Sequence, residues 1–92
     1  MVRPRSILIT GSGSGIGAAI AQKLAETDVG IVLHALENRV GCERVAENVM
    51  AAGGDAVISL GDLSDPAAAE GLVQSAVEHF GGLDVLVANA GF

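Results

Sequence analysis

The sequence predicts a parallel α/β fold, a sheet whose strands are joined by helices lying on both of its faces. Three observations point there. Half of the 92 residues are hydrophobic while only two, Phe80 and Phe92, are aromatic. The core must therefore be built from Ile, Leu, Val and Ala, the residues of a sheet buried on both sides. Short apolar runs alternate along the chain with stretches of helical period. The joints between them are short, which implies right-handed crossovers and parallel strands.

Each element has its own signal. Ser6–Thr10 is a brief apolar run that stops at glycine, as a buried strand does. Ile16, Ile20 and Leu24 recur every four residues with Ala19 and Ala21 between them, so Ile16–Glu26 reads as a helix. Gly30–Ala35 is a second buried strand. Glu43–Ala52 reads as a helix, with Val45 and Val49 inward and Gly53-Gly54 as its stop. Ala56–Leu60 is a third strand. The next helix has the clearest punctuation. Asp65 can cap it, Pro66 suits its first turn, Val73, Val77 and Phe80 make its stripe, and Gly81-Gly82 ends it. Val85–Asn89 is the fourth strand.

A doubly wound sheet of this kind orders its strands 3-2-1-4. A fifth strand normally covers the fourth, and without one Val85, Leu86 and Val87 form an edge that invites association. Residues 1–92 are thus expected to be the N-terminal part of a single nucleotide-binding domain, cut short after its fourth strand. A chain of this size hides only about 60–65% of its unfolded surface, so its core margin is thin.

Charge narrows the partners. Five Lys plus Arg stand against eleven Asp plus Glu, a formal net charge of −6. An acidic surface repels phosphate backbones, which argues against nucleic acid. One pyrophosphate is a different ligand, because backbone N–H groups hold it without side-chain charge. Arg3 and Arg5 precede only Ile7-Leu8-Ile9 before Thr10, too short for a secretory segment, and no membrane-length stretch follows. Cys42 is alone and cannot pair internally, which fits a reducing compartment. The expectation is a soluble, cytoplasmic protein without membrane contact.

The stretch that carries chemistry is Thr10-Gly11-Ser12-Gly13-Ser14-Gly15-Ile16-Gly17, between the first strand and first helix. Gly11 can turn the chain sharply out of the strand. Gly15 lets backbone approach phosphates, and Gly17 lets the helix pack close to the strand. The helix mouth adds unpaired N–H groups and a partial positive charge, worth about 0.3–2 kcal/mol toward an anion. Spacing alone is weak evidence, since Gly13, Gly15 and Ala18 also satisfy a second glycine register. A Walker loop is excluded, because no Gly-Lys-Ser/Thr follows.

Two later landmarks make the pattern specific. Asp62-Leu63 follows the third strand, and Asn89-Ala90-Gly91 ends the fourth. With Thr10-Gly11-x-x-x-Gly15-Ile16-Gly17 these resemble, in order, the cofactor motifs of the short-chain dehydrogenase/reductase family, over nearly the whole chain. The general texture is similar to its 3-oxoacyl-carrier-protein reductase type. The resemblance implies a Rossmann-like, NAD(P)-binding domain. Its cofactor-binding residues would be Thr10, Gly11, Ser12, Ser14, Gly15, Ile16, Gly17, Leu36, Arg39, Asp62, Leu63, Asn89, Ala90 and Gly91. Asp62 would face the adenine ring, though an aspartate after a strand is also a common turn former. Asn89 is read as bracing the loop over the first strand. The substrate implied is a small carbonyl or alcohol compound, and the complete form is expected to be a homo-oligomer.

The choice of cofactor rests on the end of the second strand, where an acidic residue grips a ribose 2′-hydroxyl and a basic one a 2′-phosphate. Ala35 and Leu36 carry no charge, Glu37 and Arg39 come later, and Ser14 stands where NADP-preferring relatives often carry Arg or Lys. The balance tilts slightly to NADP over NAD. The family's proton-transfer residues, a serine and a Tyr-x-x-x-Lys pair, have no counterpart here. The chain has no tyrosine, and its single lysine, Lys23, lies in the first helix. No catalytic residue and no metal site is therefore assigned, and the 92 residues are expected to bind without turnover. His34 and His79 are read as structural. Two other readings stay open: a methyltransferase-like domain for S-adenosylmethionine, compatible with Gly11, Gly13, Gly15, Glu37 and Asp62, and a non-catalytic nucleotide-sensing module.

Overall fold

A computed structural model describes residues 3–89. The elements run β1 (Arg5–Ile9), α1 (Gly15–Leu24), β2 (Val29–Ala35), α2 (Arg39–Ala51), β3 (Asp55–Leu60), α3 (Pro66–Phe80) and β4 (Val85–Val87). All strands are parallel, in the order β3-β2-β1-β4. The expected order is therefore the observed one.

The two central strands, β1 and β2, are buried on both faces. On one side α1 and α2 press Ala18, Ala21, Cys42, Val45 and Val49 against Ile7, Ile9, Ile31 and Leu33. On the other, α3 sets Leu72, Ala76 and Phe80 against Leu8 and Val32. Gly30 has no side chain because the Phe80 ring occupies that space. Each of the largest side chains so enclosed is worth about 1.5–3 kcal/mol of burial.

The expected stripes of α1 and α3 turn inward only in part: Ile20 packs against the core and Phe80 is buried, while the other stripe residues are exposed. In α1 the buried residues are Gly17, Ala18 and Ala21, while Ile16 is 73% exposed and Leu24 39% exposed. The reason is the tight approach at Gly17, which brings the small side chains of α1 to the sheet and turns the large ones out. In α3 the inward stripe is Leu72, Ala76 and Phe80, and Val73 and Val77 are exposed.

Capping moves one boundary. Helix α2 begins at Arg39, four residues before the expected start, because the Asn38 side chain accepts the Gly41 N–H at 3.0 Å. The cap on α3 is as expected: Asp65 accepts the Ala67 N–H at 2.9 Å, and Gly81 closes the helix in the left-handed region at φ 84°. Strand β4 is shorter than expected. Its partner β1 pairs only as far as Ile9 with Val87, and Thr10 then leaves the sheet. No described helix is long and apolar enough to cross a membrane.

Candidate functional site

Strands β1, β2 and β4 are parallel neighbours, so their C-terminal ends lie at the same edge of the sheet. Since β2 lies on one side of β1 and β4 on the other, the chain leaves β1 where the strand order reverses, the position at which open α/β sheets bind ligands.

The loop there is held by many internal bonds. Thr10 N–H donates to Val87 O at 3.1 Å, and Thr10 Oγ1 accepts the Asn89 N–H at 2.9 Å. Gly11, at φ 62°, turns the chain out of the strand. Its N–H donates to His34 Nδ1 at 3.0 Å, and its carbonyl accepts from Asn89 Nδ2 at 3.1 Å. Ser12 is fully buried. Its N–H donates to His34 O at 2.7 Å, its hydroxyl donates to Ile9 O at 2.8 Å, and its Oγ accepts the His34 N–H at 2.8 Å. The front of the loop is thus spoken for: Gly11 and Ser12 shape it with the donors they own.

The back of the loop is open. Ser14, Gly15 and Ile16 are exposed, whereas Gly13 and Gly17 are buried. Ser14 is the N-cap of α1 yet makes no side-chain capping bond, and no acidic residue sits in the first turn. The first N–H groups of a helix have no partner within it, so this mouth presents bare donors and a partial positive charge. Gly15 has φ 60°, and among the described residues a Cβ on it would meet nothing within 4 Å. Gly17 is the reverse case. A Cβ there would strike the Gly11 carbonyl and come within 2.7 Å of Asn89 Nδ2, so only glycine lets α1 sit this near β1.

The α2 side closes against the same loop. A Cβ on Gly41 would strike Gly13 O and Asn38 Nδ2, and Gly13 itself is hemmed by Cys42 Sγ, Asn38 O and Ala35. Burial pushes the Cys42 thiol above its usual range, against the opposing pull of the Arg39 guanidinium, so it is a packed thiol rather than a thiolate. Leu36 is exposed at the end of β2. Arg39 lines a surface groove with Glu43, Glu47, Met50 and Ile58, between α2 and β3. The structure does not gather it with the glycine loop.

Asp62 lies at the exposed start of the β3–α3 connection. One carboxylate oxygen accepts from Ser64 N–H at 2.9 Å and from Ser64 Oγ at 2.8 Å. These bonds, the backbone one foremost, hold the carboxyl below the usual carboxylate range. Leu63 is half-buried against the α3 side of the core. Ala90 and Gly91 lie outside the described residues.

Two residues support the site without having been expected in it: His34, read from the sequence as structural, and Asn38, which the sequence did not single out. His34 is 3% exposed and ties β2 to two loops at once; its signal was a polar residue ending an otherwise apolar strand. Asn38 both caps α2 and donates to Gly13 O at 3.4 Å; its signal was a cap residue three positions before Gly41. His79 is exposed, its Nδ1 2.9 Å from Ser75 O on its own helix. Among the described residues no group of three or more His, Cys, Asp or Glu could hold a metal.

A parallel doubly wound sheet with a bare helix mouth behind a glycine turn defines a class of phosphate-binding α/β domains. The chain belongs to the short-chain dehydrogenase family: the family model described as short chain dehydrogenase matches residues 5–92. It is 44% identical over 84 residues to an uncharacterised oxidoreductase of Methylorubrum extorquens, an alignment covering 91% of this chain and 34% of that protein. Among solved structures it is similar to an NADH-dependent reductase complexed with NAD, at 34% identity and a TM-score of 0.85, covering 99% of this chain and 38% of the other. It is equally similar to the L-sorbose reductase of Gluconobacter frateurii complexed with NADPH and L-sorbose, at 34% identity and a TM-score of 0.85, covering 99% and 35%. The chain spans about a third of the length of the curated relative it matches.

Proposed function

We propose that this chain is the cofactor-holding part of a nicotinamide-dependent oxidoreductase that moves a hydride between the nicotinamide and a carbonyl or hydroxyl carbon. One observation carries the reading. The amides at the mouth of α1, Ser14 through Gly17, are left uncapped beside a glycine whose missing side chain keeps the space in front of them open. Two linked phosphates fit that description, because they accept several N–H bonds at once and are drawn by the positive end of the helix.

The assigned roles divide along the loop. Thr10, Gly11 and Ser12 set its shape, Ser14, Gly15, Ile16 and Gly17 receive the pyrophosphate, and Asn89 braces the whole from β4. Asp62 and Leu63 take the adenine side; the Asp62 oxygen that does not accept from Ser64 is the one offered to the base. Leu36 and Arg39 border the adenosine ribose, and Ala90 and Gly91 belong to the cofactor site by their motif. NADP is the favoured form, because neither Ala35 nor Leu36 carries a carboxylate to repel a 2′-phosphate. For that role Arg39 must leave its groove beside Glu43 and Glu47. The relatives' bound cofactors, NAD in one case and NADPH in the other, support a nicotinamide dinucleotide of either kind. The bound cofactor supplies the hydride chemistry, and this chain's residues bind and orient it. A homo-oligomeric, cytoplasmic whole protein belongs to the same proposal.

Isothermal calorimetry with NADH, NADPH and S-adenosylmethionine tests it. The reading expects binding of a nicotinamide cofactor and none of S-adenosylmethionine. Binding of S-adenosylmethionine alone overturns it. Arg39→Ala should weaken NADPH more than NADH; an equal effect on both removes Arg39 from the site.

A further inference from the structure

We infer that His34 is a positioning residue that locks the pyrophosphate loop and the adenine-side loop into one register. The inference rests on the dinucleotide reading above and names a residue that reading left structural.

The imidazole is held in one tautomer by what surrounds it. Nδ1 lies 3.0 Å from the Gly11 nitrogen, a backbone donor with nothing to accept, so Nδ1 must offer its lone pair. Nε2 lies 2.8 Å from the Gly61 carbonyl oxygen, which can only accept, so Nε2 carries the proton. The neutral ring is therefore both acceptor and donor, and each nitrogen is satisfied by a different loop. Gly11 opens the turn that leads to the helix mouth. Gly61 immediately precedes Asp62, and its own N–H is fixed to Ala35 O at 3.1 Å. The main chain of His34 also exchanges hydrogen bonds with Ser12 in both directions. A single buried residue thus spans the two segments assigned to opposite ends of the adenosine diphosphate.

An apolar residue here would fill the space and still fail. It would leave the half-buried Gly11 N–H without its acceptor and the Gly61 carbonyl without its donor, and only the main-chain bonds of Ser12 and Gly61 to β2 would still hold the two loops. Gly11 carries no side chain and sits at φ 62°, so its position relies on such bonds. Gln is the replacement that can keep both functions, since its carboxamide carries one acceptor and one donor.

The test uses His34→Leu and His34→Gln in the protein of natural length, with NADH, NADPH and ADP as ligands. Calorimetry should show His34→Leu weakening the dinucleotide that the unaltered protein binds by roughly tenfold or more, through the loss of two part-buried hydrogen bonds, in a variant whose circular dichroism is native. His34→Gln should recover most of that loss. ADP, which needs both loops, should follow the dinucleotide. Nitrogen-15 NMR of the ring should report a pyridine-type Nδ1 and a protonated Nε2, and the Gly11 amide should exchange with solvent faster in His34→Leu. Unchanged affinity in a folded His34→Leu variant overturns the proposal, as does a protonated Nδ1. If neither NADH nor NADPH binds the unaltered protein, the functional reading fails, while the ring tautomer and Gly11 exchange still decide whether His34 holds the loops.

Discussion

Gly17 gives the sharpest energetic test of how α1 is seated. A Cβ added there meets backbone, the Gly11 carbonyl, and sits 2.7 Å from Asn89 Nδ2, so no side-chain rotation relieves it. Helix α1 must back away from β1, at an overpacking cost of about 1–3 kcal/mol. The Asn89 Nδ2 to Gly11 O bond is lost in the same movement, for about 1 kcal/mol more. The sum is about 2–4 kcal/mol, against a total stability of about 5–14 kcal/mol for a domain of this length. The midpoint of thermal unfolding should fall by roughly 8–30 °C. Gly71 is the internal control. It lies inside α3 with nothing within 4 Å of an added Cβ, so Gly71→Ala should stabilise by about 0.5–1 kcal/mol through helix propensity alone. Urea unfolding of both variants, with m held constant, measures the pair. A Gly17→Ala variant as stable as the parent would refute the close approach, and a destabilised Gly71→Ala would refute the open face of α3.

Three further outcomes are expected. Gly15→Val should cost about 1–2 kcal/mol, because valine is strained at φ 60°, and should abolish cofactor binding by filling the space before the helix mouth; retained affinity in a folded variant contradicts the role of Gly15. Among the described residues the fully buried Ser6 hydroxyl has no hydrogen-bond partner, so Ser6→Ala should stabilise by about 1 kcal/mol in urea titration, and a loss of stability would show that the hydroxyl is paired. The Arg3 guanidinium, with bonds of 2.7 and 3.0 Å, and the Ser6 N–H at 2.8 Å hold the Asp84 carboxyl below its usual range. A lowered folded value means a contribution present above the unfolded value of about 3.9 and lost as pH falls through the folded one. Asp84→Asn should therefore flatten the acid limb of the stability–pH curve below about pH 4 and leave its shape near neutrality unchanged; an identical acid limb removes Asp84 from the account.

What the sequence made legible was the topology, and the reasons are local. Asp65-Pro66 and Gly81 mark the ends of α3 by chemistry that needs no tertiary partner. The glycine turn also reads directly, since Gly11 and Gly15 both adopt the left-handed conformation that favours glycine. Which face of α1 turns inward was not legible from apolar spacing. Ile16, Ile20 and Leu24 repeat at helical period, yet Gly17, Ala18 and Ala21 go to the sheet, because the constraint is the distance between α1 and β1 rather than the size of a hydrophobic stripe. The same holds for Val73 and Val77 against Leu72 and Ala76. Within the site, Gly11 and Ser12 read as ligand residues from their motif, but their N–H groups point back to His34, a bond across 22 or 23 positions that no local pattern announces.

The amide spectrum of the protein, recorded by nitrogen-15 correlation NMR as NADH or NADPH is added, tests the central claim most directly. The account predicts that the largest shifts fall on Ser14, Gly15, Ile16 and Gly17, with a smaller group at Asp62 and Leu63. Saturating amounts of both cofactors that leave those four amides unmoved, or that shift only the groove between α2 and β3, would contradict it.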